Sequence, residues 1–575
     1  ISYSVSFYLE KRSKWYVGVF FTAVFFSLSL SYLWYSGFSD NKILGGFLPY
    51  KDAYYYYHGA RLILDGVALP EFSVQAAGRP LFPGFLASLL FLTGKNLQVV
   101  IILLTILMGA TMYLSAHLLF RSFGVLPAAL YISFSFLYTR SQIGFVHTET
   151  LGLILGNLGV ILLWQVLRKR NKLFFFFGIL VLMVAVSARA GAFFIFPMLA
   201  LWAGCFWRGE SSFSWKIFAG SLAAVALMFF IVNSLYARLV VEPGNRNFGN
   251  FAYTLYGQIH GGTGWNRAIR DMGTRDPEII MDAALETFKR SPISLVIGSA
   301  KAYRDFFLPQ EKGIFSFHTR GTVWLNTLFW SGSLLLLLIA LYKAIRRRNL
   351  PHYGLLLAAF MGIFLSIPFL PPIDGGNRFY ASTMPLFFAF LSLAVVDNKE
   401  ELSVLDSMNK VFATVQVSSV FLLFMVLLLP LILFYTARPA ALDFPVCPDE
   451  QVPYGVRIDP HFSVQLAPSS LNPDCGTEAQ NLCLEDFVAN GSRVDLDLPF
   501  FDEVINQVRI NQAVTSIFTA NNLVRSGRFH YFFLPADTLF SIPPRETITG
   551  CATRVRIEEM SSKPVLYIIE SVNIP

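Results

Sequence analysis

A few charged and aromatic residues stand out because they interrupt long apolar stretches. Asp52 lies within Tyr50-Lys51-Asp52-Ala53-Tyr54-Tyr55-Tyr56-Tyr57-His58-Gly59-Ala60, and Arg79 opens Arg79-Pro80-Leu81-Phe82-Pro83. Arg140, His147 and Glu149 crowd one short connection, and Arg189 ends a later apolar run. Further on comes Pro371-Pro372-Ile373-Asp374-Gly375-Gly376-Asn377-Arg378-Phe379-Tyr380. Ionisable groups at membrane depth are costly and usually face a cavity or a partner. A carboxylate in such a cleft serves as a general base. An arginine there matches a phosphate through its planar fork. Residues of both kinds suit a donor with a phosphate leaving group and an acceptor hydroxyl or amine. Asp52 is thus the candidate base, Glu149 a second acid, and Arg79, Arg189 and Arg378 the candidate phosphate ligands. Tyr54, His58 and His147 are candidates for contact with an acceptor or sugar.

Each has a plainer reading. Asp52 stands where a helix cap belongs, and Glu149 at the start of a span. The tyrosine run fits an interfacial aromatic belt, and Arg79 and Arg378 can snorkel to ordinary headgroups. Arg189 can simply pair with a nearby carboxylate. His147 and Glu149 are two residues apart with no evident third ligand, so no metal is assigned.

These residues need elements to position them. The chain of 575 residues is 54% hydrophobic and 14% charged, against about 25% charged in soluble domains. Apolar runs long enough to cross roughly 30 Å of bilayer core recur between Trp15 and Leu433. The net charge of +8 is concentrated in short loops between these runs, as orientation signals are. No basic, aromatic-interleaved motif points to nucleic acid. The run Trp15–Tyr35 lacks a small-residue cleavage site and reads as an anchor.

Charge bias sets the topology. Lys11, Arg12 and Lys14 place the N-terminus in the cytoplasm. The stretch 80–93, with two prolines and about fourteen residues, suits a segment dipping into the outer leaflet. The runs 98–119, 124–142 and 149–167 then alternate so that Arg121 and Arg168-Lys169-Arg170 face the cytoplasm. Runs 173–188, 191–207, 213–235, 321–342, 352–370, 381–396 and 411–436 continue without conflict, with Arg208, Lys216, Lys343 and Arg346–Arg348 inside. The expected fold is a polytopic α-helical membrane protein with about eleven spans. A membrane domain, 1–436, has outer loops at 37–97 and 236–320. A soluble domain, 437–575, lies outside the cytoplasm.

That tail holds Cys447, Cys475, Cys483 and Cys551, enough for two disulfides in three possible pairings. Cys205, in an apolar run, reads as a small hydrophobe. Asn490-Gly491-Ser492 fits a glycosylation sequon. Arg554–Glu558 and Val565–Ser571 read as strands of a hairpin, and the domain as mixed α/β.

The order of these motifs resembles a known superfamily. An outer-loop acid ahead of Tyr and Gly-Ala is followed by Arg-Pro-Leu, by Arg189-Ala190 before a run with Pro197, and by Asn377-Arg378-Phe379-Tyr380 with Pro385 beyond. Over roughly residues 10–400 the pattern is similar to the GT-C superfamily of polyprenyl-phosphate-sugar-dependent glycosyltransferases. Bacterial protein mannosyltransferase-like enzymes and lipid A aminoarabinose transferases are the nearest groups. The resemblance implies a GT-C-like membrane domain in a bacterial inner or plasma membrane. It implies transfer of a single sugar from a polyprenyl-phosphate donor to an extracytoplasmic protein, lipid or glycan, with inversion. By the same resemblance Asp52 is the base, Glu149 the second acid, and Arg378 with Tyr380 the donor-phosphate element. The chain departs in having Lys51-Asp52 instead of an Asp-Glu pair, no Trp-Trp-Asp element, and a 236–320 loop too short for an inserted sugar-binding module. Readings from other classes are a transporter or flippase of lipid-linked sugars and a non-catalytic membrane subunit.

Overall fold

The computed structural model describes residues 15–36 and 52–437, apart from 70–73, 141, 190, 209–212, 243–248, 275, 310–312, 317–322 and 398–408. In the tail it describes 445–448, 451–457, 464–466, 515–519, 530–535, 547–555 and 565–569.

Among the described residues the membrane domain is built from helices, with one isolated β-bridge between Leu69 and Val241. In chain order the main helices are α1 (Trp15–Ser36), α2 (Asp52–Leu64), α3 (Leu81–Leu92), α4 (Leu97–Phe123), α5 (Val125–Thr139), α6 (Thr148–Lys169), α7 (Lys172–Ala188) and α8 (Ile195–Phe206). They continue as α9 (Trp215–Phe230), α10 (Gly249–Ile259), α11 (Asn266–Met272), α12 (Pro277–Arg290), α13 (Ile293–Phe307), α14 (Val323–Arg346), α15 (Pro351–Ser366), α16 (Met384–Ser392), α17 (Asn409–Leu423) and α18 (Leu429–Thr436). Among the described residues seven helical segments are long and apolar enough to cross a membrane, or eight if the bent pair Pro372–Tyr380 and Met384–Val395 is one span. All eleven expected runs are helical, but α5, α7 and α8 are shorter than a full span by this measure. Run 381–396 is not straight: the chain bends by 72° ahead of α16.

Burial ranks these helices. Of the apolar window of α6, 94% is buried inside the protein, against 22% for α1 and for α14. The latter two expose Phe20, Leu28, Trp324 and Leu328, as lipid-facing helices do. In lipid, helices associate by close packing, not by escape from water, so small residues sit at their contacts. The α6 helix has Gly152, Gly156 and Gly159 on one face. A Cβ at Gly156 would come within 2.3 Å of the Ser382 carbonyl oxygen, and one at Gly159 within 2.5 Å of Leu182. Glycine at these positions therefore lets the 376–384 bend and α7 close on α6.

The α3 helix has twelve residues, about 18 Å of rise, too little to cross the bilayer. Ten of them are buried. It packs against two spans that widen into π turns, Ile231–Tyr236 after α9 and Phe424–Leu428 between α17 and α18. The Ser88 hydroxyl donates to the Met425 carbonyl at 2.7 Å. Such turns disturb the regular ladder, and Ser88 supplies a partner to one of its carbonyls.

Charge is segregated along the bundle. Arg121, Arg168, Lys169, Lys343 and Arg346 lie in the last turns of α4, α6 and α14. Trp207 Nε1 donates to the Arg170 carbonyl, Trp202 Nε1 to the Pro351 carbonyl, and Lys343 Nζ to the carbonyls of Ala394 and Val396. Glu149 lies at the other end of α6, about 30 Å away by helix rise.

The described elements of the tail are strands: β1 (Gln451–Arg457), β2 (Val464–Leu466), β3 (Thr515–Thr519), β4 (His530–Pro535), β5 (Thr547–Val555) and β6 (Val565–Ile569). They form one sheet in the order β1-β5-β6-β4-β3-β2, in which only β4 and β6 run parallel. The expected hairpin partners pair antiparallel where described: Arg554 and Val555 belong to Thr547–Val555 and face Tyr567 and Leu566, while 556–558 lie outside the described residues. The apolar run Val565–Ile569 takes an inner position, as uninterrupted β-branched sequence does. Cys447 is joined to Cys551. Cys475, Cys483 and the Asn490 sequon lie outside the described residues.

The close approach of α6 to the 376–384 bend predicts that Gly156→Ala is destabilising. Forcing one methyl against backbone costs about 1–3 kcal/mol. Thermal unfolding of the detergent-purified protein should show a lower midpoint for Gly156→Ala, while alanine at Gly332, where a Cβ meets nothing within 4 Å, does not lower it.

Candidate functional site

Five segments meet at the end of the bundle away from the basic loops. They are the start of α2, the turn into α3, the turn into α6, the end of α7, and the 372–380 loop that follows α15. Apolar sequence buries the walls, and each segment delivers one or two charged groups.

Glu149 is at the centre. It lies in the first turn of α6 and is 1% exposed. Its Oε1 accepts from Arg378 Nε at 2.6 Å and lies 3.3 Å from Arg189 Nη2. The second contact is close enough for strong attraction but is not aligned as a hydrogen bond. Thr148 Oγ1 donates to Oε2 at 3.2 Å. A carboxylate so deep is tolerable only when paired, and here two guanidiniums pair with one acid.

Arg378 spans the site. Its Nε binds Glu149, while Nη2 lies 3.3 Å from His147 Nδ1 and 3.9 Å from Asp52 Oδ2. Arg378 and Asp52 are the open members, with side chains 33% and 40% exposed. Because Arg378 donates to Nδ1, the His147 proton sits on Nε2. That nitrogen is buried without a hydrogen-bond partner among the described residues. Burial pushes the His147 imidazole down to about 4, with Glu149 opposing the shift and Arg378 adding to it. The ring is therefore neutral near pH 7. It is held edge-on by Phe145 and Tyr56, with centroids 4.5 and 5.9 Å away.

The other arginines are braced by the same loops. Arg189, at the end of α7, donates through Nε to the Arg378 carbonyl at 3.4 Å and lies over the Phe379 ring at 4.8 Å. Arg79 Nη1 donates to the Tyr56 hydroxyl at 3.1 Å, and Asp52 and Glu149 both act on it electrostatically. Three guanidiniums and two carboxylates thus share one region, with one positive charge in excess.

The expected residues fare differently. Asp52, Arg79, His147, Glu149, Arg189 and Arg378 are brought together. Tyr380 is buried, gives its hydroxyl to the Leu370 carbonyl at 2.8 Å and rests against Phe306. These contacts brace the Arg378 loop and leave its hydroxyl committed to protein. His58 is buried in α2. The side chain of Tyr54 lies outside the described residues. Sequence reasoning passed over Tyr56, the partner of Arg79, although it stands one helical turn after Asp52. It also passed over Thr148, Phe379 and Asp374. Asp374 accepts from the Trp265 amide at 2.7 Å and the Thr254 hydroxyl at 3.0 Å, tying the 249–307 helices to the loop that carries Arg378. Among the described residues no group of three or more His, Cys, Asp or Glu converges as a metal site would.

No protein-family model matches the chain, and no curated protein matches it significantly in sequence.

Glu149 is thus the buried, doubly paired acid and Asp52 the accessible one. Glu149→Gln strands two arginines and is expected to cost about 3–5 kcal/mol. Combining it with Arg378→Gln should recover part of that loss, because one orphaned charge goes with it. Thermal unfolding of the single and double variants measures this; strict additivity would contradict the pairing.

Proposed function

We propose that this chain is an integral membrane glycosyltransferase that moves one sugar from a polyprenyl-phosphate donor to an acceptor outside the cytoplasm. The supporting observation is that the exposed Asp52 carboxylate lies 3.9 Å from an arginine, Arg378, that is itself held by a buried acid. An accessible base beside a braced cationic cluster suits displacement of a phosphate.

The roles follow from burial. Asp52 takes the proton of an acceptor hydroxyl or amine as that atom attacks the anomeric carbon. The bond from that carbon to the phosphate oxygen breaks on the opposite side, with inversion. The departing polyprenyl phosphate keeps the electron pair, and its charge is met by Arg378, Arg79 and Arg189. His147 Nε2–H and Arg189 Nη2, buried without hydrogen-bonding protein acceptors among the described residues, are suited to phosphate or sugar oxygens. Such donors are costly when left unmade. The excess positive charge favours an anion. The segregation of basic residues to the far end supports a cytoplasmic position for that end and an outer position for the site.

Asp52→Asn tests this reading. Asparagine keeps the shape and cannot accept the proton, so transfer from a polyprenyl-phosphate sugar should fall by about 100-fold or more. The purified variant should still unfold at the wild-type temperature. Wild-type transfer rates in that variant would remove Asp52 from the chemistry. Passage of labelled lipid across proteoliposomes by the wild-type protein, with the sugar–phosphate bond intact, would instead make it a transporter.

A further inference from the structure

The helices between α9 and α14 contain a cavity that the transfer chemistry does not use. Its volume is about 660 Å³, and it is lined by Thr263, Gly264, Trp265, Asn266, Arg270 and Asp374, with Ile269 and Ile373. Small-molecule sites span roughly 300–1,000 Å³.

One wall is the turn His260-Gly261-Gly262-Thr263-Gly264-Trp265 between α10 and α11. Gly264 has φ of +84°, and its backbone passes so close to Gly257 that a Cβ on the latter would lie 2.6 Å from the Gly264 oxygen. A side chain at either position would strain or displace the turn. This geometry presents Trp265, whose ring lies edge-on to Tyr253 at 6.5 Å and is still 40% exposed. The other wall is the short helix Pro372–Gly375. Asp374 binds the Trp265 amide and the Thr254 hydroxyl through different oxygens, so the two walls form one unit.

The lining has a definite chemistry. An exposed indole offers a flat apolar face to the C–H side of a sugar ring. Asn266, Arg270, Thr263 and Asp374 offer donors and acceptors for ring hydroxyls. Guanidinium and carboxylate balance, which disfavours a purely anionic ligand. The position is equally informative. Asp374 is four residues from Arg378, so their Cα atoms are separated by at most about 14 Å of chain. The cavity wall and Arg378, the neighbour of Asp52, are thus carried on one loop, and an extended glycan is the class of ligand that could occupy both.

We propose that this cavity is a saccharide subsite and that the acceptor is therefore a glycan or glycoconjugate, held by Trp265 and Arg270 while another of its residues is glycosylated at Asp52. This rests on the transferase reading above, and it selects a carbohydrate from the acceptors that reading leaves open.

The test uses the full-length protein in detergent with Trp265→Ala and Arg270→Gln. Binding is read by saturation-transfer NMR with neutral hexose and N-acetylhexosamine trisaccharides as probes. Transfer to the best-bound trisaccharide is then followed at varied acceptor and donor concentrations. The account predicts that both variants lose at least about tenfold in trisaccharide affinity, equal to about 1.4 kcal/mol. The acceptor KM should rise by a similar factor and the donor KM should stay unchanged. Asp52→Asn should bind the trisaccharide normally. Trisaccharide binding that is absent from the wild-type protein, or unchanged in both variants, overturns the subsite. Transfer to an unglycosylated peptide or lipid with wild-type kinetics in both variants also overturns it, while leaving the transferase reading intact. Normal trisaccharide binding with no transfer of any sugar would overturn the transferase reading and leave the subsite standing as a lectin-like site.

Discussion

The buried carboxylate of Glu149 is the constraint around which the site is arranged. At 1% exposure it must be paired, and the two guanidiniums that reach it come from chain segments far apart, Arg189 after α7 and Arg378 after α15. Each of those arginines then has its own support. Arg189 leans on Phe379 and the Arg378 carbonyl, and Arg378 reaches His147 and Asp52 with Nη2. The loops cannot move independently without stranding a charge in low dielectric. For the proposed transfer, that rigidity would meet a developing phosphate charge with dipoles already pointing the right way.

The bundle makes this arrangement possible through small residues. Glycines along α6 bring its backbone against Ser382 and α7, which sets the depth of Glu149 relative to Arg189 and Arg378. The short α3 begins beside Arg79 and does not cross, and its buried face meets the two spans that carry π turns at Tyr236 and Met425. The opposite end of the bundle gathers the surplus lysines and arginines. Packing, charge segregation and site chemistry are thus linked: the same spans that sort charge to one end bring the acids and the selected arginines to the other.

Much of this was readable from the chain. Asp52, Glu149, Arg189 and Arg378 interrupt apolar sequence, and the charge of the loops was enough to group them at one end. Periodicity also carried information that residue type alone obscured. In Asp52-Ala53-Tyr54-Tyr55-Tyr56, the helical period puts Tyr56 on the Asp52 face, and Tyr56 is the tyrosine that meets Arg79. Tyr380 stands two residues from Arg378 in sequence, but its own hydroxyl is given to the Leu370 carbonyl, a contact that local sequence does not announce. Asp374 could not be read at all. Its partners are 109 and 120 residues away, and nothing local distinguishes it from a turn aspartate. Span lengths were blurred for a similar reason: apolar runs record burial, and they do not register the bend before α16 or the shortness of α8.

The central claim is that Asp52 and Arg378 face one pocket on the side of the bilayer away from the basic loops. Its most direct measurement is chemical cross-linking in sealed, right-side-out membrane vesicles. The protein would carry Asp52→Cys with Arg378→Cys, and a short bifunctional thiol reagent that cannot cross the bilayer would be added outside. The account predicts an intramolecular link between positions 52 and 378, identified by mass spectrometry and absent from either single variant. Labelling of the two positions only from opposite sides of the membrane, with no link in either vesicle orientation, would contradict it.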